Sequence, residues 1–186
     1  MIGLSPKRTV AGLILLNLSV ALNTGVCVSL PFEEETHCNL QRRHGIMQET
    51  FHRAISLYVA ARRTKKGKYK KHAKKIHKTI RNWKKEGVPN VVYYCIFLDA
   101  EKAALAGKHE EAETQYQKAI QFVGRSGYLH HAALFNELYS DFLLREKKNE
   151  DEARYRLGEA IRYYDDWGAG GVVARLKKSS LFGVEP

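Results

Sequence analysis

At 186 residues, 44% of them hydrophobic and 27% charged, the chain has room for one domain with a real core, which excludes general disorder. Pro6, Pro31 and Pro186, three of only four prolines, lie outside the stretch read below as folded, so long segments are free of the strongest helix breaker. The net charge of +11 is unevenly placed: sixteen Lys and Arg face one acid, Glu49, between Arg42 and Lys85, while the remainder carries fifteen bases and nineteen acids. Such a block is either a solvated helix face or an attractor for nucleic acid, an anionic membrane or an acidic protein.

The chain opens with Lys7 and Arg8 ahead of a charge-free run from Val10 to Phe32. A positive start, an apolar middle and the small residues Gly25 and Ser29 match a secretory signal peptide. As a membrane anchor the run is barely long enough and is diluted by Asn17, Ser19, Asn23 and Thr24. Leu13, Leu16 and Val20 at helical spacing give a third reading, a truncated upstream repeat. Asn17, the only Asn-x-Ser/Thr site, lies inside the apolar run and adds no support for secretion. Residues 1–44 are taken as this apolar segment plus a linker. The three cysteines, Cys27, Cys38 and Cys95, are too scattered for a disulfide framework. His37, Cys38 and His44 lack the spacing and the second half of a structural zinc site, so no metal is expected.

From residue 45 a pattern recurs: an apolar helix, a short polar turn, then an Ala followed by apolar residues at helical intervals. Ile46 to Arg63 place Phe51, Ile55, Tyr58 and Val59 on one stripe, and after Gly67 a second helix, Tyr69 to Lys85, carries Ala73, Ile76, Ile80 and Trp83. Lys85 to Asn90, with Gly87 and Pro89, is a stop signal. Val91 to Leu105 carry Tyr94, Phe97, Leu98 and Leu105, and after Gly107 come Ala112, Tyr116, Ala119 and Ile120. Gly124 to Gly127 end that unit. Ala132 to Leu144 carry Phe135, Leu138, Tyr139 and Phe142, and beyond Asn149 follow Ala153, Leu157, Ala160, Ile161 and Tyr164. Ala73, Ala112 and Ala153 recur about forty residues apart, somewhat more than the ~34 of a tetratricopeptide repeat. The small side chains of Ala100, Ala112 and Ala119 let helices approach closely, with Tyr116 filling the gap above. A helix pair of this kind cannot bury its stripe alone, so neighbouring pairs must stack.

The segment AALAGKHEEAETQYQKAI, Ala103 to Ile120, resembles a tetratricopeptide repeat, with Gly107, Ala112, Tyr116 and Ala119 at the family's Gly, Ala, aromatic and Ala positions. It departs upstream, where Ile96, Asp99 and Ala100 replace the usual aromatic and Leu-Gly pair. Residues 100–108, HHAALFNELYSDFLLR at 130–145 and EARYRLGEAIRYYDDWGA at 152–169 are similar to the helical region that follows the ATPase module in large kinase and ATPase signalling proteins. The resemblance implies an all-α fold over residues 45–180, tetratricopeptide-like stacked antiparallel helix pairs in a right-handed α-solenoid, followed by a tail at 181–186. It also implies a helical partner-binding or relay segment, as a fragment or stand-alone version of that region, and a cytoplasmic location; a signal peptide would place the chain in the secretory pathway instead.

No GxxxxGK[ST] loop is present, since Tyr69 follows Gly67-Lys68 and His109 follows Gly107-Lys108. Motifs of zinc proteases, serine hydrolases and kinases are missing as well. The adjacent pair His130-His131 is the best isolated acid–base candidate, yet neighbouring helical positions point about 100° apart. The sequence therefore reads as a non-catalytic protein-interaction or scaffolding module with no cofactor and no small-molecule substrate. Two candidate surfaces stand out. Tyr94, Phe97 and Glu101 are placed to face inward on the middle unit, either against a partner or in the core, and provide no Lys and Asn clamp for a C-terminal carboxylate. Lys71, Lys75 and Lys78 form a positive face opposite Ala73, Ile76 and Ile80, suited to an acidic protein or alternatively to nucleic acid or anionic lipid.

Overall fold

The computed structural model of the chain describes residues 40–88 and 90–178, and no strand occurs among the described residues. In chain order come α1 (Leu40–Thr64), α2 (Gly67–Lys85), α3 (Val92–Ala104), α4 (His109–Gly124) and α5 (Leu129–Phe142). A single π-helical turn, Leu143–Lys147, continues α5, and α6 (Glu150–Asp166) and α7 (Gly170–Lys177) follow. The readings made of Val10 to Phe32, of Cys27, His37 and Cys38, of the His44 side chain and of the 181–186 tail fall outside the described residues.

The even-numbered helices share one inward stripe. In α4 it is Ala112, Tyr116, Ala119 and Val123; in α6 it is Ala153, Leu157, Ala160 and Tyr164; in α2 it is Ala73, His77 and Ile80. Steps of four and three keep a side chain on one face of a 3.6-residue helix. Ile76, expected in the core, is only half-buried, because those steps lead from Ala73 to His77 and on to Ile80 and leave Ile76 on the flank. His77 thus holds the position that Tyr116 and Leu157 hold in the other units.

The turn between α1 and α2 is two residues long, and its left-handed residue is Lys65, with φ 57°, so the expected turn residue Gly67 is instead the first residue of α2. Gly107, with φ 75°, does turn the chain between α3 and α4, in a conformation that a side chain strains. Before α6, Asn149 accepts a hydrogen bond from the Glu152 N–H at 3.2 Å, and Glu150, Asp151 and Glu152 meet the positive end of the helix. A side-chain bond joins the two helices across each turn: the Tyr58 hydroxyl with His77 Nδ1 at 3.1 Å, Tyr116 to Glu101 at 2.7 Å, and Ser140 to the Ala153 carbonyl at 2.7 Å, with Tyr164 to Glu137 at 2.8 Å joining α5 and α6 again. Bonds bracketing short turns in this way set α1/α2, α3/α4 and α5/α6 as antiparallel pairs.

The odd-numbered helices gather the aromatic core. Phe51 of α1 stacks on Tyr94 of α3 at 4.2 Å between ring centroids, and Phe97 of α3 stacks on Phe135 of α5 at 4.1 Å. Offset stacking of this kind adds about 0.5–1.5 kcal/mol per pair beyond area burial. α1 also meets α5 directly: Gln48 lies 3.2 Å from His130, the Phe51 and Phe135 centroids are 5.7 Å apart, and Arg62 reaches Asp141 at 3.6 Å. α1 and α5 therefore run alongside each other in the same direction and close over the inner face of α3. A second apolar cluster, including Leu157, Tyr164, Val172 and Leu176, fixes α7 against α6 and α5.

Ala112 has no exposed surface, so Ala112→Arg places an unpaired guanidinium inside the α3/α4 pair. The expected loss is more than about 4 kcal/mol, read as a collapse of the urea midpoint followed by helix signal. A midpoint unchanged from the parent would contradict the shared stripe.

Candidate functional site

Tyr94, Phe97 and Glu101, the inward-facing candidates, are 5%, 0% and 1% exposed, which removes them as a contact surface. The physical reason is the closure of α1 on α5, which roofs the face of α3 where an open stack of helix pairs would leave a groove. Tyr94 lies under Phe51 and its hydroxyl is 3.2 Å from His131 Nε2. Phe97 is held between Phe135 and the edge of Tyr116.

Glu101 has become a structural charge. Its Oε2 accepts from Arg62 Nη1 at 2.8 Å, and its Oε1 accepts from the Tyr116 hydroxyl at 2.7 Å. One carboxylate thus ties α1, α3 and α4, while Arg62 extends the link to Asp141 at the end of α5. Burial, reinforced by the Glu101 carboxylate, pushes the Tyr116 pKa far up and keeps its hydroxyl a donor. Sequence reasoning missed Arg62, yet a signal existed: Glu101 follows Phe97 by four residues on the same buried stripe, and a charge there requires a partner.

Histidines form the second buried polar feature. His52, His77 and His131 are each at most 9% exposed, and burial is the largest cause that lowers their pKa values, to about 4, about 4 and about 2. Neighbouring imidazoles add to the effect for two of them, His130 at His52, and His130 with His52 at His131. For His77, burial outweighs the Asp99 carboxylate, whose oxygen lies 3.5 Å from Nε2, so this contact joins a neutral ring to a carboxylate. Burial and Glu101 also raise the Tyr58 pKa. Tyr58 therefore keeps its proton, and its hydroxyl shares a hydrogen bond with His77 Nδ1 at 3.1 Å. The rings of His130 and His131 lie 4.0 Å apart despite their neighbouring positions, because both turn toward the α1/α5 seam. No group of three His, Cys, Asp or Glu among the described residues is arranged to hold a metal.

Two hollows accompany these groups. A space of about 50 Å³ is lined by Gln48, Asn90, Tyr93, Tyr128 and the two adjacent histidines, among others. A polar cleft of about 320 Å³ lies between α2 and α4 over Ala103 and Ala106. Its carboxylates already have partners, since Asp99 pairs with Arg81, and Glu111 with Lys108 at 3.0 Å. Neither hollow brings a nucleophile, a base and an oxyanion donor together.

The lysine candidates stand where the sequence placed them. Lys71, Lys75 and Lys78 are exposed on the outer side of α2, and Lys65, Lys66, Lys68, Lys70, Lys74, Lys84 and Lys85 are exposed along the same helix and its leading turn. None of these ten ammonium groups pairs with a carboxylate among the described residues. Several bases elsewhere are answered within the fold: Lys147 by Glu110 and Glu113, Arg145 by Asp141 and Glu146, Arg156 by Glu152, Arg162 by Glu159 and Asp166, and Arg175 by Glu137. No helix among the described residues is long and apolar enough to cross a membrane. No family model, no curated protein and no solved structure matches the chain.

Glu101→Gln leaves the buried Arg62 charge with only the exposed Asp141 at 3.6 Å as counter-ion, for an expected loss of up to about 3–5 kcal/mol in urea unfolding. The double variant Arg62→Met/Glu101→Gln, which keeps an acceptor for Tyr116, should lose less than the single one; a loss by the single variant no larger than that of a surface change would contradict the network. The histidines give a pH test. Their folded pKa values lie below the unfolded value, so the unfolded chain binds more protons as pH falls. Their contribution is complete above about pH 6.5 and is lost as pH drops through the folded values, about 4 for His52 and His77 and about 2 for His131, with a slope of up to roughly 1.4 kcal/mol per pH unit for each histidine. Urea midpoints at pH 7.5, 6 and 5 check this, and equal midpoints at all three would contradict the neutral burial of these rings.

Proposed function

We propose that the chain is a non-catalytic binding module built from tetratricopeptide-like stacked helix pairs, and that its recognition surface is the outer face of α2, which takes an anionic macromolecular partner. The repeated Ala-led stripe of α2, α4 and α6 and the three antiparallel pairs support the repeat reading. One observation carries the functional reading: ten exposed lysines crowd one helix and its leading turn with no carboxylate partner among the described residues, whereas Arg62, Arg81, Lys108, Arg145, Lys147, Arg156, Arg162 and Arg175 each pair with one. Like charges three and four residues apart, as in Lys71/Lys75, Lys74/Lys78 and Lys75/Lys78, destabilise a helix by a few tenths of a kcal/mol per pair. A face that costs stability in the isolated fold and fills no core is explained by a partner that neutralises it.

The chain's own Glu33, Glu34 and Glu35 bring three carboxylates against ten ammonium groups and so do not satisfy this face. A scaffold of this kind works by presenting α2 rigidly: Ala73, His77 and Ile80 anchor one side of the helix, and Lys71, Lys75 and Lys78 occupy the other.

Changing Lys71, Lys75 and Lys78 together to Gln should raise or leave unchanged the melting temperature, because repulsion is relieved, while weakening the binding of anionic probes at low salt by at least tenfold. The probes are polyglutamate, a random-sequence nucleic-acid duplex and phosphatidylserine vesicles, titrated against the full chain. Parent protein that binds none of the three, or a variant that binds as the parent does, would overturn this surface as the functional one.

A further inference from the structure

The outer face of α2 has a chemistry that separates the three anionic partner classes. Lys68, Lys71, Lys75, Lys78 and Lys85 fall on a single stripe opposite Ala73 and Ile80, running for ~26 Å along the helix axis. Asn82 is exposed on the same stripe, a neutral hydrogen-bond donor among the cations.

Carboxylates on a folded acidic protein are best met by the planar fork of arginine, which binds them bidentately. This face is nearly all lysine, and its one guanidinium, Arg81, is already committed to Asp99. Insertion into a bilayer needs apolar or aromatic side chains beside the basic ones. The exposed large hydrophobic residues, Ile46, Phe122, Tyr155 and Trp167, all lie on other helices or turns. Single-stranded nucleic acid is held by stacking bases on exposed aromatic rings. Of the aromatic residues of α2, Trp83 is half-buried against the core, and the half-buried Tyr69 already has Lys68 Nζ over its ring at 5.1 Å. What remains is an unbroken line of negative charge that asks only for point cations, and a duplex carries one charge per ≈ 1.7 Å of its axis.

We propose that α2 binds the phosphate backbone of a nucleic-acid duplex, independently of sequence, through Lys68, Lys71, Lys75, Lys78 and Lys85. The proposal rests on the reading of α2 as the recognition face. Contacts of this kind fix position on the duplex without reading base edges. About five phosphates neutralised give a log–log salt slope near −4.5 and roughly a 500-fold loss of affinity between 50 and 200 mM salt.

Fluorescence anisotropy on the full chain tests this with random-sequence 24-base-pair DNA and RNA duplexes, single-stranded oligo-dT, polyglutamate and phosphatidylserine vesicles. The expected result is tightest binding to one or both duplexes with that slope, the DNA and RNA arms telling the two sources of the phosphate backbone apart. In Lys71→Gln/Lys75→Gln/Lys78→Gln the slope should fall to about −2, leaving about a tenfold salt effect, with the circular dichroism spectrum unchanged. Tighter binding to polyglutamate, vesicles or oligo-dT than to either duplex overturns the duplex assignment and leaves α2 as the recognition face. Binding to none of the probes overturns both. Duplex binding that the triple variant retains in full also overturns the proposal, because the contacts then lie elsewhere.

Discussion

The contact between Arg62 and Glu101 is the constraint around which the other elements arrange themselves. A carboxylate 1% exposed in a helical core is tolerable only when its charge is opposed and its lone pairs are filled, and here Arg62 and Tyr116 do both. These three residues come from three helices, so the requirement fixes α1, α3 and α4 relative to one another more narrowly than apolar packing does. Arg62 then reaches Asp141, which adds the end of α5. Breaking such a pair costs far more than the pair contributes when whole, because the loss exposes the desolvation penalty of the surviving charge.

Closure of α1 on α5 is the consequence for recognition. Aromatic rings from the three odd-numbered helices interleave, with Phe51 on Tyr94 and Phe97 on Phe135. The inner face of α3, where an open arrangement of helix pairs would receive a peptide, is filled by the protein itself. The buried imidazoles of His52 and His131 lie in this same seam, their rings 5.9 Å apart, which couples the seam to pH through the cost of charging a desolvated ring. The exposed surface of the fold is therefore formed by the outer sides of its helices.

On that outside the charge is divided by helix. Acids of α4, α5 and α6 form short-range pairs with bases such as Lys147, Arg156, Arg162 and Arg175, each pair worth little at an exposed site. α2 is the opposite case, a rigid rod whose outward charge is of one sign. A field of one sign over a long surface steers an oppositely charged partner and makes its binding depend on salt.

The helical class, the two-helix units and the Ala-led stripe were legible in the sequence because they follow from local periodicity: Ala112, Tyr116 and Ala119 are buried in α4, and Ala153, Leu157 and Ala160 in α6, by their spacing alone. The lysines of α2 were legible for the same reason, since a residue opposite a buried stripe points outward whatever surrounds it. His77 was passed over because Ile76 beside it is the apolar residue, although the same steps of four and three lead from Ala73 to His77 and Ile80. The fates of Tyr94, Phe97 and Glu101 were undetermined, since an inward stripe can face a groove or a neighbouring helix. What decided them was the approach of α1 to α5, through pairs such as Phe51 with Phe135 and Arg62 with Asp141, which stand about eighty residues apart in the chain and leave no periodic trace in it.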